Sequence, residues 1–155
     1  MKREWTQAMY ERAFRYAAAA HRGQLDPGTE LPYLVHVTLV TMEVVAALRA
    51  EPDHAGDLAV ACALLHDVIE DTGTTYAQVR AEFGTAVADG VLALSKDPRR
   101  PKARQLRDSL RRIRRQPPEI WIVKLADRIA NLHAVRPGWM PAKVRRYRAE
   151  AREIL

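Results

Sequence analysis

The stretch Ala63-Leu64-Leu65-His66-Asp67-Val68-Ile69-Glu70-Asp71-Thr72 constrains the fold more than any other, because apolar residues run straight into four ionisable groups within six positions. On a helix that buries Leu64, Leu65, Val68 and Ile69, His66 and Glu70 lie one turn apart on one face. Asp67 and Asp71 repeat that pairing about 100° around the axis. One imidazole and three carboxylates then converge near a helix C-terminus, where the dipole disfavours negative charge. A cation relieves that cost. His with Asp is a mixed nitrogen and oxygen donor set suited to a borderline divalent metal, provided a helix or bend splays the two neighbours. Adjacent His and Asp are common on surfaces, so the dipeptide alone does not define a site.

The remaining sequence supplies helices to bury this stretch. A chain of 155 residues is long enough for one core and short for two, so residues 1–155 are expected to form a single domain. Ala, Leu, Arg and Glu dominate and strand-type alternation is scarce, which predicts an all-α fold, a single compact bundle of about eight helices. The first spans 4–22, with Trp5, Met9, Ala13, Tyr16 and Ala20 as its stripe. A loop with Asp26-Pro27-Gly28 and Pro32 follows, and a second helix from Tyr33 to Arg49 turns Leu34, Val37, Val40, Val44 and Leu48 inward. The third, Asp57 to Ile69, is almost wholly apolar and therefore central. Thr74 or Thr75 caps a short helix ending near Phe83-Gly84, and Thr85 caps the next, which stops around Ser95. Lys102 to Gln116 is amphipathic through Ala103, Leu106, Leu110 and Ile113. Pro117-Pro118 precedes a helix from Ile120 to about Val135, ended by Arg136-Pro137-Gly138. A last helix from about Pro141 packs Val144, Tyr147, Ala151 and Leu155.

Cys62 is the single cysteine and lies in an apolar helical run, which excludes an intrachain disulfide framework and suits a reducing compartment. No apolar run reaches the roughly 18 residues of a membrane span, and the N-terminus lacks a signal-peptide core. A cytoplasmic protein with no membrane partner is expected. The net charge of +6 is uneven: residues 99–115 hold nine Arg or Lys against Asp108, leaving the rest at −2. Such a segment suits a polyanion, either nucleic acid or a highly phosphorylated small molecule, although solvated arginines on the outer faces of a helix are its ordinary explanation.

Polar groups on otherwise buried helices need partners, because an unpaired buried carboxylate costs several kcal/mol. Four such places recur: His36, His66-Asp67, Glu70-Asp71, and Asp127 with Asn131 one turn on. Ordinary pairing, Asp127 with Lys124 or Arg128, explains each singly. In order, however, Ala20-His21-Arg22-Gly23-Gln24, Pro32-Tyr33-Leu34-Val35-His36, the Ala63 to Thr72 stretch, Phe83-Gly84, Val87-Ala88-Asp89-Gly90-Val91 and Lys124-Leu125-Ala126-Asp127-Arg128 resemble the HD-domain hydrolases of the RelA/SpoT type. These remove pyrophosphate from the 3′ position of alarmone nucleotides. The likeness covers residues 10–135. His-Asp with a distant Asp marks only the wide HD superfamily, whereas the Glu-Asp pair and Lys-Leu-Ala-Asp-Arg mark this branch. With little chain beyond them, the sequence resembles a small, stand-alone alarmone hydrolase with an HD-domain fold.

The resemblance implies that His36, His66, Asp67 and Asp127 bind one divalent metal, usually Mn2+, leaving positions open for water and a phosphate oxygen. It implies Glu70 and Asp71 as the catalytic pair, and Asn131, Lys124 and Asp26 as contacts to a phosphorylated nucleotide, with nucleic acid not the expected partner. One departure bears on the base. The family usually follows Gly-Gln with a basic pair, whereas this chain has Leu25-Asp26-Pro27-Gly28-Thr29-Glu30-Leu31, with acidic Asp26 and Glu30 and one extra residue. That leaves (p)ppGpp and (p)ppApp both open. An HD nucleotidase acting on another nucleotide, and a basic nucleic-acid-binding module built on residues 99–115, are the alternatives.

Overall fold

The computed structural model describes residues 4–133 and 138–155. Helices account for all regular structure among them apart from one isolated bridge, Leu25 with Pro32. Nine helices are described, one of them a single turn: α1 Gln7–Ala20, α2 Leu34–Ala50, α3 Gly56–Leu65, α4 Val68–Asp71, α5 Tyr76–Phe83, α6 Thr85–Leu94, α7 Lys102–Ile113, α8 Pro118–His133 and α9 Pro141–Ile154. The all-α expectation holds. The expected third helix is interrupted at His66-Asp67, and positions 134–137, where the eighth was expected to end, lie outside the described residues.

The apolar sequence of α3 dictates its place. Its residues from Ala59 to Leu65 are fully buried, and it packs against α1, α2, α6 and α8. The start of α1 is tied to it, because the Thr6 backbone N–H and hydroxyl donate to Asp57 Oδ1 at 2.6 and 3.0 Å while Thr6 Oγ1 accepts the Met9 N–H. Val37, Val40, Val44 and Leu48 form the inner stripe of α2, as the heptad-like spacing predicts. Gly90 allows α6 to approach: a Cβ there would lie 2.5 Å from Ile120 Cδ1 and 2.8 Å from Cys62 Sγ. Any side chain would push α6 away from α3 and α8.

Some helix ends differ from expectation. Thr75 caps α5 through a capping box with Gln78. Thr85 is the first residue of α6 and makes no capping bond, because Gly84, at φ +86°, occupies the cap position. Ile154, rather than Leu155, turns inward on α9. The C-terminus of α6 is closed by α7: Ser109 Oγ donates to Ala93 O at 2.7 Å and Arg112 Nη2 to Ser95 O at 2.7 Å, with Arg112 Nη1 donating to Leu92 O. These bonds satisfy carbonyls that the end of a helix leaves open.

Candidate metal centre

The site begins where α3 fails to continue. His66 keeps helical angles, but Asp67 adopts φ −107°, ψ 0°, the sparsely occupied bridge region common at active sites. The following turn, α4, starts afresh, with Asp71 N–H donating to Asp67 O at 2.8 Å. This bend splays His66 and Asp67, and both side chains face the α2 and α8 walls. Periodicity alone suggests an unbroken helix because Val68 and Ile69 keep an apolar spacing across the bend.

His36 in the first turn of α2, His66 and Asp67 bring one ligand atom each within 4.8 Å of one another. Asp127 of α8 joins them: its Oδ1 lies 3.3 Å from His36 Nε2 and 3.8 Å from His66 Nε2. Asp67 Oδ2 is 2.8 Å from His66 Nε2. Both imidazoles are buried, and the two carboxylates nearly so.

The chemistry of this cluster requires positive charge at its centre. His66 Nδ1 faces Ala63 O at 2.8 Å, so in the neutral ring the proton is donated there and Nε2 carries the lone pair. Nε2 is buried and has no hydrogen-bond partner despite the short separation from Asp67, because the contact lacks the angle that a hydrogen bond needs. A lone pair facing two carboxylates is repelled unless a cation lies between them. Without a metal ion a proton fills that place: burial opposes charge on His66, but Asp67 and then Asp127 outweigh it and raise its pKa, while burial likewise opposes ionisation of the two carboxylates, yet His66 and the Tyr33 hydroxyl at Asp67, and His36 and Lys124 at Asp127, hold both below the usual carboxylate range. Two imidazoles and two ionised carboxylates fit a divalent ion.

Neighbouring groups hold these ligands in place. Tyr33 OH donates to Asp67 Oδ2. Asn131 Nδ2 donates to Asp127 Oδ1 at 2.7 Å and to Asp127 O at 2.9 Å, and Lys124 Nζ is 3.5 Å from Asp127 Oδ2. Lys124 is buried beside Asp127. Arg128 turns away from the site, to Glu150 Oε2 at 3.2 Å and the Tyr147 ring at 4.2 Å.

The two carboxylates beyond the bend differ. Glu70 is committed: it accepts from the Lys96 backbone N–H at 2.7 Å and pairs with Lys96 Nζ at 3.1 Å. Asp71 is exposed, and partial desolvation together with the charges of Asp67 and Glu70 raises its carboxyl to about 6. Asp26 lies across the loop between α1 and α2, which closes as a hairpin through Asp26 N–H to Leu31 O at 2.8 Å and Thr29 N–H to Asp26 O at 3.0 Å.

The structure therefore gathers His36, His66, Asp67 and Asp127, places Glu70 and Asp71 one turn beyond, and sets Asn131 and Lys124 on Asp127. Two residues at the site have no role in the sequence reading. Lys96 follows the end of α6 and carries no pattern that links it to Glu70. Tyr33 had a signal: it precedes His36 by three residues, which puts both on one face.

Three helices that converge on two imidazoles and two carboxylates define the class of protein, and comparison with known families agrees. The chain belongs to the HD-domain family, whose model matches residues 13–155. This family implies a divalent metal, and among the described residues His36, His66 and Asp67 form a group that could hold one. Within the family the chain is of the RelA/SpoT alarmone-hydrolase type. It is 30% identical over 145 residues to the zebrafish (Danio rerio) guanosine-3′,5′-bis(diphosphate) 3′-pyrophosphohydrolase MESH1, covering 90% of this chain and 78% of that protein. It is 37% identical to a Haemophilus influenzae protein of the same enzymatic name, covering 89% of this chain but 20% of that longer one. A solved structure of a metazoan ortholog of SpoT that hydrolyzes ppGpp superposes with a TM-score of 0.78 at 28% identity, covering 97% of this chain and 85% of that one.

Proposed function

We propose that this protein is a metal-dependent 3′-pyrophosphohydrolase of alarmone nucleotides, (p)ppGpp or (p)ppApp. The observation that carries the reading is the partnerless, buried Nε2 of His66 facing Asp67 and Asp127, with Glu70-Asp71 one turn beyond. The relatives' names supply the substrate class. His36, His66, Asp67 and Asp127 would hold one divalent cation, and Mn2+ suits their mixture of nitrogen and oxygen donors.

When bound, that cation neutralises phosphate oxygens and makes water more acidic. The chain supplies the rest. Water attacks the phosphorus attached to the 3′ oxygen; as the new P–O bond forms the 3′ O–P bond breaks and the 3′ oxygen takes a proton from solvent, giving pyrophosphate and a nucleotide with a free 3′ hydroxyl. Asp71 accepts the proton of the attacking water: it is exposed to solvent one turn beyond Asp67, and a carboxylate near a cation stays ionised, as a general base requires. Glu70 pairs with Lys96 and so sets an ammonium one turn beyond the ligands, where it is available to a phosphate oxygen. Lys124 and Asn131 orient Asp127, and the Asn131 carbonyl oxygen is left to meet the nucleotide. Asp26 in the α1–α2 loop accepts hydrogen bonds but cannot donate them when ionised, which suits the adenine N6 amino group better than the guanine O6 and N7 acceptors.

A product assay tests the reading. Purified protein with Mn2+ is expected to release pyrophosphate from guanosine or adenosine 3′-pyrophosphates, and to lose that activity with chelator. Orthophosphate released from nucleoside monophosphates, with no pyrophosphate from either alarmone, would identify an HD nucleotidase instead. A guanine preference in kcat/KM unchanged by Asp26→Asn and Glu30→Gln would remove the loop from base selection.

A further inference from the structure

The groups that would meet a metal are not the whole of this site, because one of them is aimed by a residue outside the ligand set. Tyr33 precedes α2 and is buried. Its hydroxyl donates across 34 positions of sequence to Oδ2 of Asp67, the same oxygen that lies 2.8 Å from His66 Nε2. The phenol has little freedom to do otherwise. Its ring packs between His21, at 4.9 Å, and His36, at 5.3 Å. Its backbone N–H donates to Gln24 O at 2.9 Å, and His21 is fixed in turn through Nδ1, 2.8 Å from Gln24 Oε1.

A carboxylate rotates about its Cβ–Cγ bond, and at the bend the hydrogen bond that restrains Asp67 is not made within one helical turn. The donor that does so comes from another segment. His66 is set by Ala63 and Asp127 by Asn131, each within one helical turn; Asp67 depends on a contact made only when the α1–α2 loop and the start of α2 have folded against the α3–α4 bend. We propose that Tyr33 is a positioning residue for the metal centre: its hydroxyl fixes the Asp67 carboxylate, and His21 with Gln24 fixes Tyr33. This rests on the metal-binding reading above. Outer partners of this type typically change metal affinity by about 10-fold to 100-fold.

Tyr33→Phe keeps the ring between His21 and His36 and deletes the hydroxyl alone. Equilibrium dialysis of Mn2+ against metal-free wild type and variant is expected to show a Kd about 10-fold to 100-fold weaker for the variant, while the metal-free melting temperature stays within about 2 °C. At saturating Mn2+ the nucleotide KM is expected to match wild type, because Tyr33 acts through Asp67. A variant Kd within about twofold of wild type, less than the outer-partner range, overturns the proposal. Should Tyr33→Phe melt far below wild type, His21→Asn decides the matter, since it withdraws the ring's support and leaves the hydroxyl: a Kd weakened by about threefold or more supports the proposal, and an unchanged Kd overturns it. Wild type that binds no Mn2+ refutes the metal-binding reading and this proposal with it, whereas tight and equal binding by wild type and Tyr33→Phe refutes the role of Tyr33 alone.

Discussion

The α3–α4 bend and the α6–α7 corner both crowd ionisable side chains at the end of an apolar helix, but they dispose of charge in opposite ways. At the corner, Asp108 takes Arg100 at 3.2 Å and Arg112 at 3.0 Å, and the rest of the Arg112 guanidinium bonds the last carbonyls of α6. Donors meet acceptors there. At the bend, lone pairs face carboxylates: His66 Nε2 has no hydrogen-bond partner, and Asp67 is held by a neutral phenol. Charge that its neighbours neutralise builds structure, while acceptors gathered around a common point call for a cation.

The strongest way to sharpen this contrast is to remove chemistry from the bend without removing a ligand. Asp71→Asn keeps the shape and abolishes basicity, so kcat is expected to fall about 100-fold or more with metal content near wild type. Unimpaired turnover would exclude Asp71 as the base. Next in size is the corner. Arg112→Ala leaves the α6 carbonyls and Asp108 short of a donor and is expected to cost roughly 1–3 kcal/mol in urea unfolding, with kcat unchanged; no loss of stability would show that the corner does not depend on this guanidinium. The smallest effect concerns arginines at and just beyond the end of α7 that have no acidic partner among the described residues. Replacing Arg111, Arg114 and Arg115 together by Gln is expected to leave stability within about 0.5 kcal/mol and to raise the nucleotide KM only at low salt, because the screening length is about 10 Å at 0.1 M. An unchanged KM at low salt would return them to an ordinary solvated face.

Much of this was readable in the sequence, for definite reasons. The α2 stripe and the burial of α3 follow from apolar spacing, and His36, His66, Asp67 and Asp127 stand out as polar groups on apolar helices. The bend at Asp67 was hidden because Val68 and Ile69 keep an apolar helical spacing across it. Thr85 resembles a cap, but the positive φ of Gly84 already starts that helix. Arg112 looks like its neighbours in sequence and differs only in facing α6. Tyr33 and Lys96 were missed as site residues because their partners, Asp67 and Glu70, lie 34 and 26 positions away. Spacing along one helix carries no information about such contacts.

Metal stoichiometry tests the central claim most directly. Wild-type protein loaded with Mn2+ and freed of excess ion is expected to retain one equivalent by elemental analysis, whereas His66→Ala, which deletes the partnerless Nε2, is expected to retain far less and to lose pyrophosphate release with it. One tightly held equivalent in His66→Ala would contradict the account.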